Sequence, residues 1–466
     1  MARSKFVKLP LLAWLAWLAS LALPASGCTQ PEGAAEDAEG EASGESESDE
    51  SGGLAATYTY WRDAKSVIDS KCAGCHEPGD IAPFPLTSHA EVSAVAAILP
   101  SAIESGSMPP WPPSDACNVY RHDRSLDEAE QELLLTWLAE GAPEGDPADE
   151  PASDPGDETD AFVPDLTLAI PEPYTPTKEP DDYRCFVIPW EQAGYVTGFR
   201  VEPDQRSIVH HVIAFAVEPG QADTVEAMDA ADEGPGYTCF GGAGVQSRWV
   251  ASWAPGGLGT VFPDGTGVRI DPGSRLVVQL HYNTASADPV ADQTALSFML
   301  AESVERPLVN QPLTNPAWPT GLDPMTIPAG DPDVTHAVEI ALDSPLWAAQ
   351  IAETGVQAGE DVLLHAAGLH MHNLGVRARM SIVRAGGADD CVVEIPSWDF
   401  GWQGGYELIE PLRISAGDQI SLQCWWDNSA ENQPILDGEL AEPIDVEWGE
   451  GTRDEMCLGI LMLTRP

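Results

Sequence analysis

From residue 161 to the C-terminus the apolar residues come in short runs, and this punctuation limits the fold more than any other feature of the chain. The runs at 196–201, 208–217, 274–283, 362–369, 377–384 and 419–426 are rich in Val, Ile and Leu, and clusters of Gly, Pro and Asp separate them. Runs of this kind suit strands, whereas a helix needs a longer stretch with a 3.6-residue period. No such period is present, and there is no Gly-rich phosphate loop, G-x-S-x-G turn or repeat at fixed spacing. The region is predicted to be mainly β, built as sandwiches.

Two acidic stretches divide the remainder. Residues 29–56 and 140–160 each carry nine acids and no base, with Gly, Pro, Ser and Ala between them. Such segments repel themselves and read as extended linkers. They set off candidate domains at 57–139, 161–308 and 309–466. Over the whole chain 22 Lys and Arg face 75 Asp and Glu, a net charge of −53. This excludes a nucleic-acid partner, which needs a basic face, and docking on anionic lipid through charge. The 43% hydrophobic residues and 15 Trp exclude a disordered acidic chain.

The first 28 residues read as an export signal. Arg3, Lys5 and Lys8 precede an apolar run at 9–23, which is shorter than the roughly 20 residues of a spanning helix. Ala25-Ser26-Gly27-Cys28 resembles a bacterial lipobox, in which Cys28 would carry lipid. An uncleaved signal anchor is the alternative. The lipoprotein reading implies an exported protein on the periplasmic side or cell surface, held at the membrane by lipid alone. Thr29 after the Cys favours the outer membrane, and residues 29–56 would act as a spacer.

Cys72-Ala73-Gly74-Cys75-His76 has the C-x-x-C-H spacing that attaches a c-type haem: two thioethers from the cysteines and an iron ligand from His76. A redox C-x-x-C or half of a zinc site is the competing reading, but no second Cys pair or nearby His pair completes a zinc site. Residues 61–70 are predicted as a short helix. Residues 125–140 are predicted as an amphipathic one, opening on Ser125 with Glu128 three residues on, and striped by Leu133, Leu134, Trp137 and Leu138. This arrangement resembles a small, all-α class I cytochrome c. Met108 is the one Met between the motif and residue 139, and is the candidate for the far iron face; His89, His122 or a purely structural Met are the alternatives.

The histidines of 161–466 form a pattern. His210 and His211 are adjacent in a strand-like run, His281 closes another, and His370-Met371-His372 puts two imidazoles on one face by strand alternation. His336 and His365 are further members of the set. Adjacent strand residues point to opposite faces, so His210 and His211 could share one ion only if the strand bends. Imidazoles suit Cu and Zn, and an added thioether favours Cu(I).

The order H-H, Q-L-H-Y-N with Gln279, H-M-H-N-L-G and D-E-M-C resembles the copper type II, ascorbate-dependent monooxygenases, over roughly 162–466. That family includes the peptidylglycine- and dopamine-hydroxylating enzymes. The resemblance implies two jelly-roll-like β-sandwich domains, each holding one copper ion across a solvent-filled cleft. It implies an electron-transfer copper on His210, His211 and His281, an oxygen-binding copper on His370, His372 and Met456, and a disulfide between Cys424 and Cys457. Peptide-amidating members carry Arg where this chain has Gly368, and Asn and Tyr where it has Leu458 and Ile460. Those groups grip a carboxylate, so their absence argues against peptide amidation and for a less charged substrate.

Nine cysteines remain to be placed. Cys28 goes to lipid and Cys72 and Cys75 to haem, which leaves an even number, as disulfides in an exported chain require. Besides Cys424–Cys457, Cys185 is expected to pair with Cys239, while Cys117 and Cys391 have no assigned partner. The expected protein is a monooxygenase that hydroxylates a C–H bond of a small organic substrate with O2. An ascorbate-like reductant or a redox protein would supply electrons through the fused haem, and the 140–160 linker would let the haem domain swing to the first copper. A haem and copper electron carrier without hydroxylase activity is the alternative, and a surface lipoprotein with degenerate sandwiches a third.

Overall fold

The computed structural model describes residues 56–466, apart from 79–81, 153–161, 256, 258, 285–286, 342–343, 358, 437–438, 450 and 452. The export signal, Cys28 and nearly all of the first acidic stretch lie outside the described residues, as does 153–160 of the second. Among the described residues no helix is long and apolar enough to cross a membrane.

The chain is mainly β, with a helical unit at its described N-terminal end. That unit contains α1 (Lys65–Lys71), α2 (His89–Val95), α3 (Leu99–Glu104) and α4 (Glu128–Ala139). Tyr60, Val67, Ile68 and Val92 close a core with Leu134, Trp137 and Leu138, the stripe predicted on the last helix. The helix starts later than Ser125. Asp127 is its N-cap, accepting from Glu130 N at 2.8 Å while the Glu130 carboxylate accepts from Asp127 N at 3.0 Å. Ser125 instead gives its N–H to the Asp123 carboxylate. A carboxylate caps as well as a hydroxyl and also meets the positive end of the helix dipole.

A second correction concerns the linker expected at 140–160. Its first half belongs to the helical unit. Ala142 is buried, the Pro143 carbonyl accepts from Tyr60 N and Trp137 Nε1, the Glu144 carbonyl accepts from Trp61 N, and Glu150 pairs with Lys65 at 3.1 Å. Main-chain carbonyls make most of these bonds, and composition carries no trace of them.

The strands of six residues or more are β1 (Asp181–Pro189), β2 (Gly194–Glu202), β3 (Val209–Val217), β4 (Arg248–Trp253), β5 (Arg275–Asn283), β6 (Ala295–Ala301) and β7 (Arg306–Leu313), then β8 (Val334–Ala341), β9 (Val362–His370), β10 (Gly375–Val383), β11 (Asp389–Ile395), β12 (Gly405–Ile414), β13 (Gln419–Trp426) and β14 (Leu458–Thr464). All six predicted runs are strands. In the first sandwich β2 and β6 pair in one layer, and β1, β5, β3 and β4 lie side by side in the other. Phe186, Val212 and Leu280 from one layer meet Val196, Phe199 and Phe298 from the other in a single core. In the second sandwich the order β8-β13-β10-β11 faces β12-β9-β14.

β7 is the seam. It pairs with β4 at Asn310–Trp249 and with β14 from Leu308–Thr464 to Leu313–Gly459. One sheet therefore runs β1-β5-β3-β4-β7-β14-β9-β12 through both sandwiches, and the two histidine groups lie on it. Among the described residues three disulfides close the fold: Cys185–Cys239, Cys424–Cys457 and Cys117–Cys391. The last gives Cys117 and Cys391 to each other. Disulfides of this number mark an exported chain.

The third correction follows from it. The segment after α3 is fastened to the second sandwich, not left to swing: Ser114 N donates to the Glu394 carbonyl, Tyr120 Oη to the Val392 carbonyl and Arg121 N to the Glu407 carbonyl, around the Cys117–Cys391 bridge.

Candidate metal centre

His210, His211 and His281 each offer a ring nitrogen, and these atoms lie within 4.8 Å of one another. The bend that lets neighbours on one strand converge is a β-bulge. Val209 opposes Tyr282 and His211 opposes His281, which leaves His210 as the extra residue on β3. A bulge re-aims the side chain it displaces.

Second contacts fix the rings. Asp181 Oδ1 accepts from His281 Nε2 at 2.8 Å, so the lone pair of His281 is on Nδ1, which faces His211 Nδ1 at 3.3 Å. Asn283 donates to the same Asp181 oxygen at 2.9 Å. Tyr183 stacks on His281 with centroids 4.0 Å apart, and Gln279, one alternation before His281, bonds His211. His210 Nδ1 is buried with no hydrogen-bond partner. A buried ring nitrogen left bare costs a hydrogen bond unless a cation takes it. Burial, and then the His281 charge, push His210 down to about 4 and hold His211 well below the usual histidine range. Neutral imidazole is the form that ligates. The donor set fits a metal.

The second group forms where β9 ends. His370 and His372 have ring centroids 5.0 Å apart, with Met371 between them turned into the core. His370 Nδ1 meets Gln403 Oε1 at 2.5 Å; the Gln403 amide is oriented by its own donation to the Phe400 carbonyl. His372 Nδ1 donates to the Asp454 carbonyl at 2.8 Å. Both rings therefore keep Nε2 for a ligand. Burial pushes His370 down to about 3 and lowers His372 as well.

Met456 is brought alongside by pairing and by Glu455. His370 opposes Leu458 across β9 and β14, two residues beyond Met456. The buried Glu455 carboxylate accepts from His372 N, Leu374 N, Trp426 Nε1 and Met456 N, at 2.7–3.3 Å. Burial lifts its pKa to about 7. The Cys424–Cys457 bridge adds a covalent tie from β13 to the residue after Met456.

Phe400 lies between the groups, its ring centroid 6.3 Å from His210 and 5.9 Å from His372. His336 and His365 join neither. His336 Nε2 bonds the Thr326 carbonyl, and His365, displaced by a bulge in β9, bonds Thr464 Oγ1 at 2.8 Å. At Gly368 a Cβ would come 3.2 Å from the Gly404 carbonyl, so the backbone just before β12 crowds this position. Asp181, Gln403, Glu455 and Phe400 were missed by sequence reasoning. Only Glu455, an acid beside Met456, carried a local signal.

In the helical unit Cys72 caps α1, and His76 N donates to the Cys72 carbonyl in the turn that follows. Neither Cys72 nor Cys75 is in a disulfide. Burial pushes the Cys72 thiol up to about 12, opposite to a redox cysteine. The buried His76 donates Nδ1–H to the Phe84 carbonyl at 2.8 Å, leaving Nε2 for a ligand. Met108 is half-buried after α3, whereas His89 Nε2 is held by the Ala142 carbonyl and His122 is exposed.

Two comparisons with known proteins bear on these groups. Residues 347–463 match the family model for the copper type II ascorbate-dependent monooxygenase, C-terminal domain. That segment contains His370, His372, Met456, Cys424 and Cys457. DBH-like monooxygenase protein 1 of Gallus gallus is 23% identical over 276 residues, 56% of this chain. The chain spans 40% of the length of that relative. Both findings support the copper monooxygenase family, and neither shows a haem domain.

Proposed function

We propose that the protein is a copper-dependent monooxygenase that hydroxylates a C–H bond of a small, weakly charged organic molecule with O2. The observation that carries this is the pair of histidine groups on one sheet, with ring nitrogens left for a ligand and Phe400 between them. His210, His211 and His281 would hold an electron-transfer copper; His370, His372 and Met456 would hold the copper that meets oxygen. Copper supplies one-electron chemistry and O2 activation, and a thioether beside two imidazoles favours Cu(I).

The chain's own groups do the rest. Asp181 orients His281, Gln403 orients His370, and Glu455 joins the His372 and Met456 backbones. Gly368, Leu458 and Ile460 stand at the end of β9 and β14, at the positions where amidating enzymes carry Arg, Asn and Tyr, which suits a substrate without a carboxylate.

The helical unit is read as a class I cytochrome c. Cys72 and Cys75 would carry the haem by thioethers, with His76 Nε2 and Met108 on its two faces. Tyr60 Oη, Trp61 Nε1 and Arg124 Nε are buried without partners, and are donors of the kind that haem carboxylates take. An ascorbate-like reductant or a redox protein would supply the electrons, and lipid on Cys28 would hold the protein at the outer membrane.

The test is incubation of the copper-loaded chain with 18O2 and candidate metabolites, with mass spectrometry for a labelled alcohol. Met456→Ile should abolish labelling while haem reduction and re-oxidation by chemical reagents persist. A labelled product formed equally by Met456→Ile, or by copper-free protein, would sink the assignment. A pure electron carrier would give no labelled product in any form.

A further inference from the structure

The way the helical unit is fastened bears on the order in which the centres receive electrons, if the haem and copper reading above holds. Residues 111–121 seal it to the second sandwich. Cys117–Cys391 is the covalent part, and Asn118 Nδ2 adds a bond to the Cys391 carbonyl at 3.3 Å. Three aromatic rings fill this seam. Trp111 meets Tyr406 at 5.5 Å and Tyr120 at 6.2 Å, and Tyr120 meets Tyr406 at 5.6 Å, centroid to centroid. These are separations of packed aromatic pairs, which run from about 4.5 to 7 Å. Tyr120 and Tyr406 are buried.

The row continues at both ends. Trp111 follows Met108 by two prolines, and the Arg124 guanidinium lies over it at 5.6 Å. At the other end, the Tyr406 ring tip lies 3.8 Å from where a Gly404 Cβ would be, and Gly404 is bonded to Gln403, which holds His370. From His372 the Phe400 ring then reaches His210. No corresponding contact of the helical unit with β3 or β5 is seen among the described residues.

We infer that electrons pass from the haem through Trp111, Tyr120 and Tyr406 to the His370–His372–Met456 centre first, and across Phe400 to the His210–His211–His281 centre second. Each passage oxidises one ferrous haem to ferric and reduces one Cu(II) to Cu(I); no proton or covalent bond moves. An external one-electron reductant restores the ferrous haem, and the two electrons of a hydroxylation need two passages.

The experiment uses the full chain, matured with haem and loaded with Cu(II), under argon. A photosensitiser places one electron on the haem, and the decay of the ferrous band is followed. His372→Ala is expected to slow the decay at least tenfold, while His210→Ala/His211→Ala leaves the initial rate unchanged. The reverse pattern overturns the order. Tyr406→Leu should slow the decay at least tenfold and Tyr406→Phe should restore it, with copper content measured on each. Trp111→Leu, at a half-buried position, gives a second variant should the first not fold. Unchanged decay in Trp111→Leu, or equal decay in the Leu and Phe variants, overturns the role of the rings. An unsubstituted chain without a haem band, or binding fewer than two coppers, overturns the underlying reading, an outcome distinct from a change in decay rate.

Discussion

An imidazole ligates through one nitrogen, so whatever holds the other decides where the lone pair points. Three histidines of the two centres show this: Asp181 takes the Nε2 side of His281, while Gln403 and the Asp454 carbonyl take the Nδ1 sides of His370 and His372. The two centres therefore differ in which nitrogen is left. Asp181→Asn should weaken copper at the first centre about 10- to 100-fold, the usual cost of losing such a partner. Affinity at the second centre should not change. Copper titration followed by electron paramagnetic resonance would resolve the two, and unchanged binding at the first would show that Asp181 does not orient His281. The histidines were legible because ligands are few in kind and cluster in short patterns. Their partners were not, because a carboxylate 100 residues away in sequence or a main-chain carbonyl leaves no mark beside the ligand.

At the scale of elements, the first centre depends on one irregularity of β3. A regular strand would send His210 and His211 to opposite faces, and the bulge removes that conflict. Deleting His210 should close the bulge and restore unbroken pairing of β3 with β5, so that the fold is kept and the centre lost. The expected result is one copper per chain instead of two, with an unchanged circular dichroism spectrum; two coppers per chain would show that the bulge is dispensable. Six of the strands were readable, since each is an apolar run between turn residues. The bulge was not, because it is a property of two strands in register and His-His looks the same in either geometry. The start of α4 failed for a related reason: Ser125 and Asp127 are both good caps, and the backbone bond to Asp123 decides between them.

The whole molecule is acidic on both sides of its seam, and acids outnumber bases in the helical unit and in the sandwiches alike. Like-charged bodies repel, so the docking must be held by something other than long-range attraction. The local contribution is a few hydrogen bonds at about 1 kcal/mol each and the buried Tyr120 ring at about 2 kcal/mol. The Cys117–Cys391 bridge removes the alternative of an undocked unit, which would stay joined to the chain only through the segment beyond Glu150. In the double variant Cys117→Ser/Cys391→Ser, undocking becomes a local opening that leaves both sandwiches folded. Hydrogen exchange should then accelerate at the Arg121 and Ile409 amides, which bond across the seam to the Glu407 and Val119 carbonyls. Amides inside β3 and β5 should keep their protection. Because the opposing force is repulsion between exposed charges, salt should restore protection at Arg121 and Ile409 as the Debye length shrinks from about 30 Å at 0.01 M to about 8 Å at 0.15 M. Protection that falls with added salt would mean that attraction across the seam, rather than the bridge, holds the unit in place.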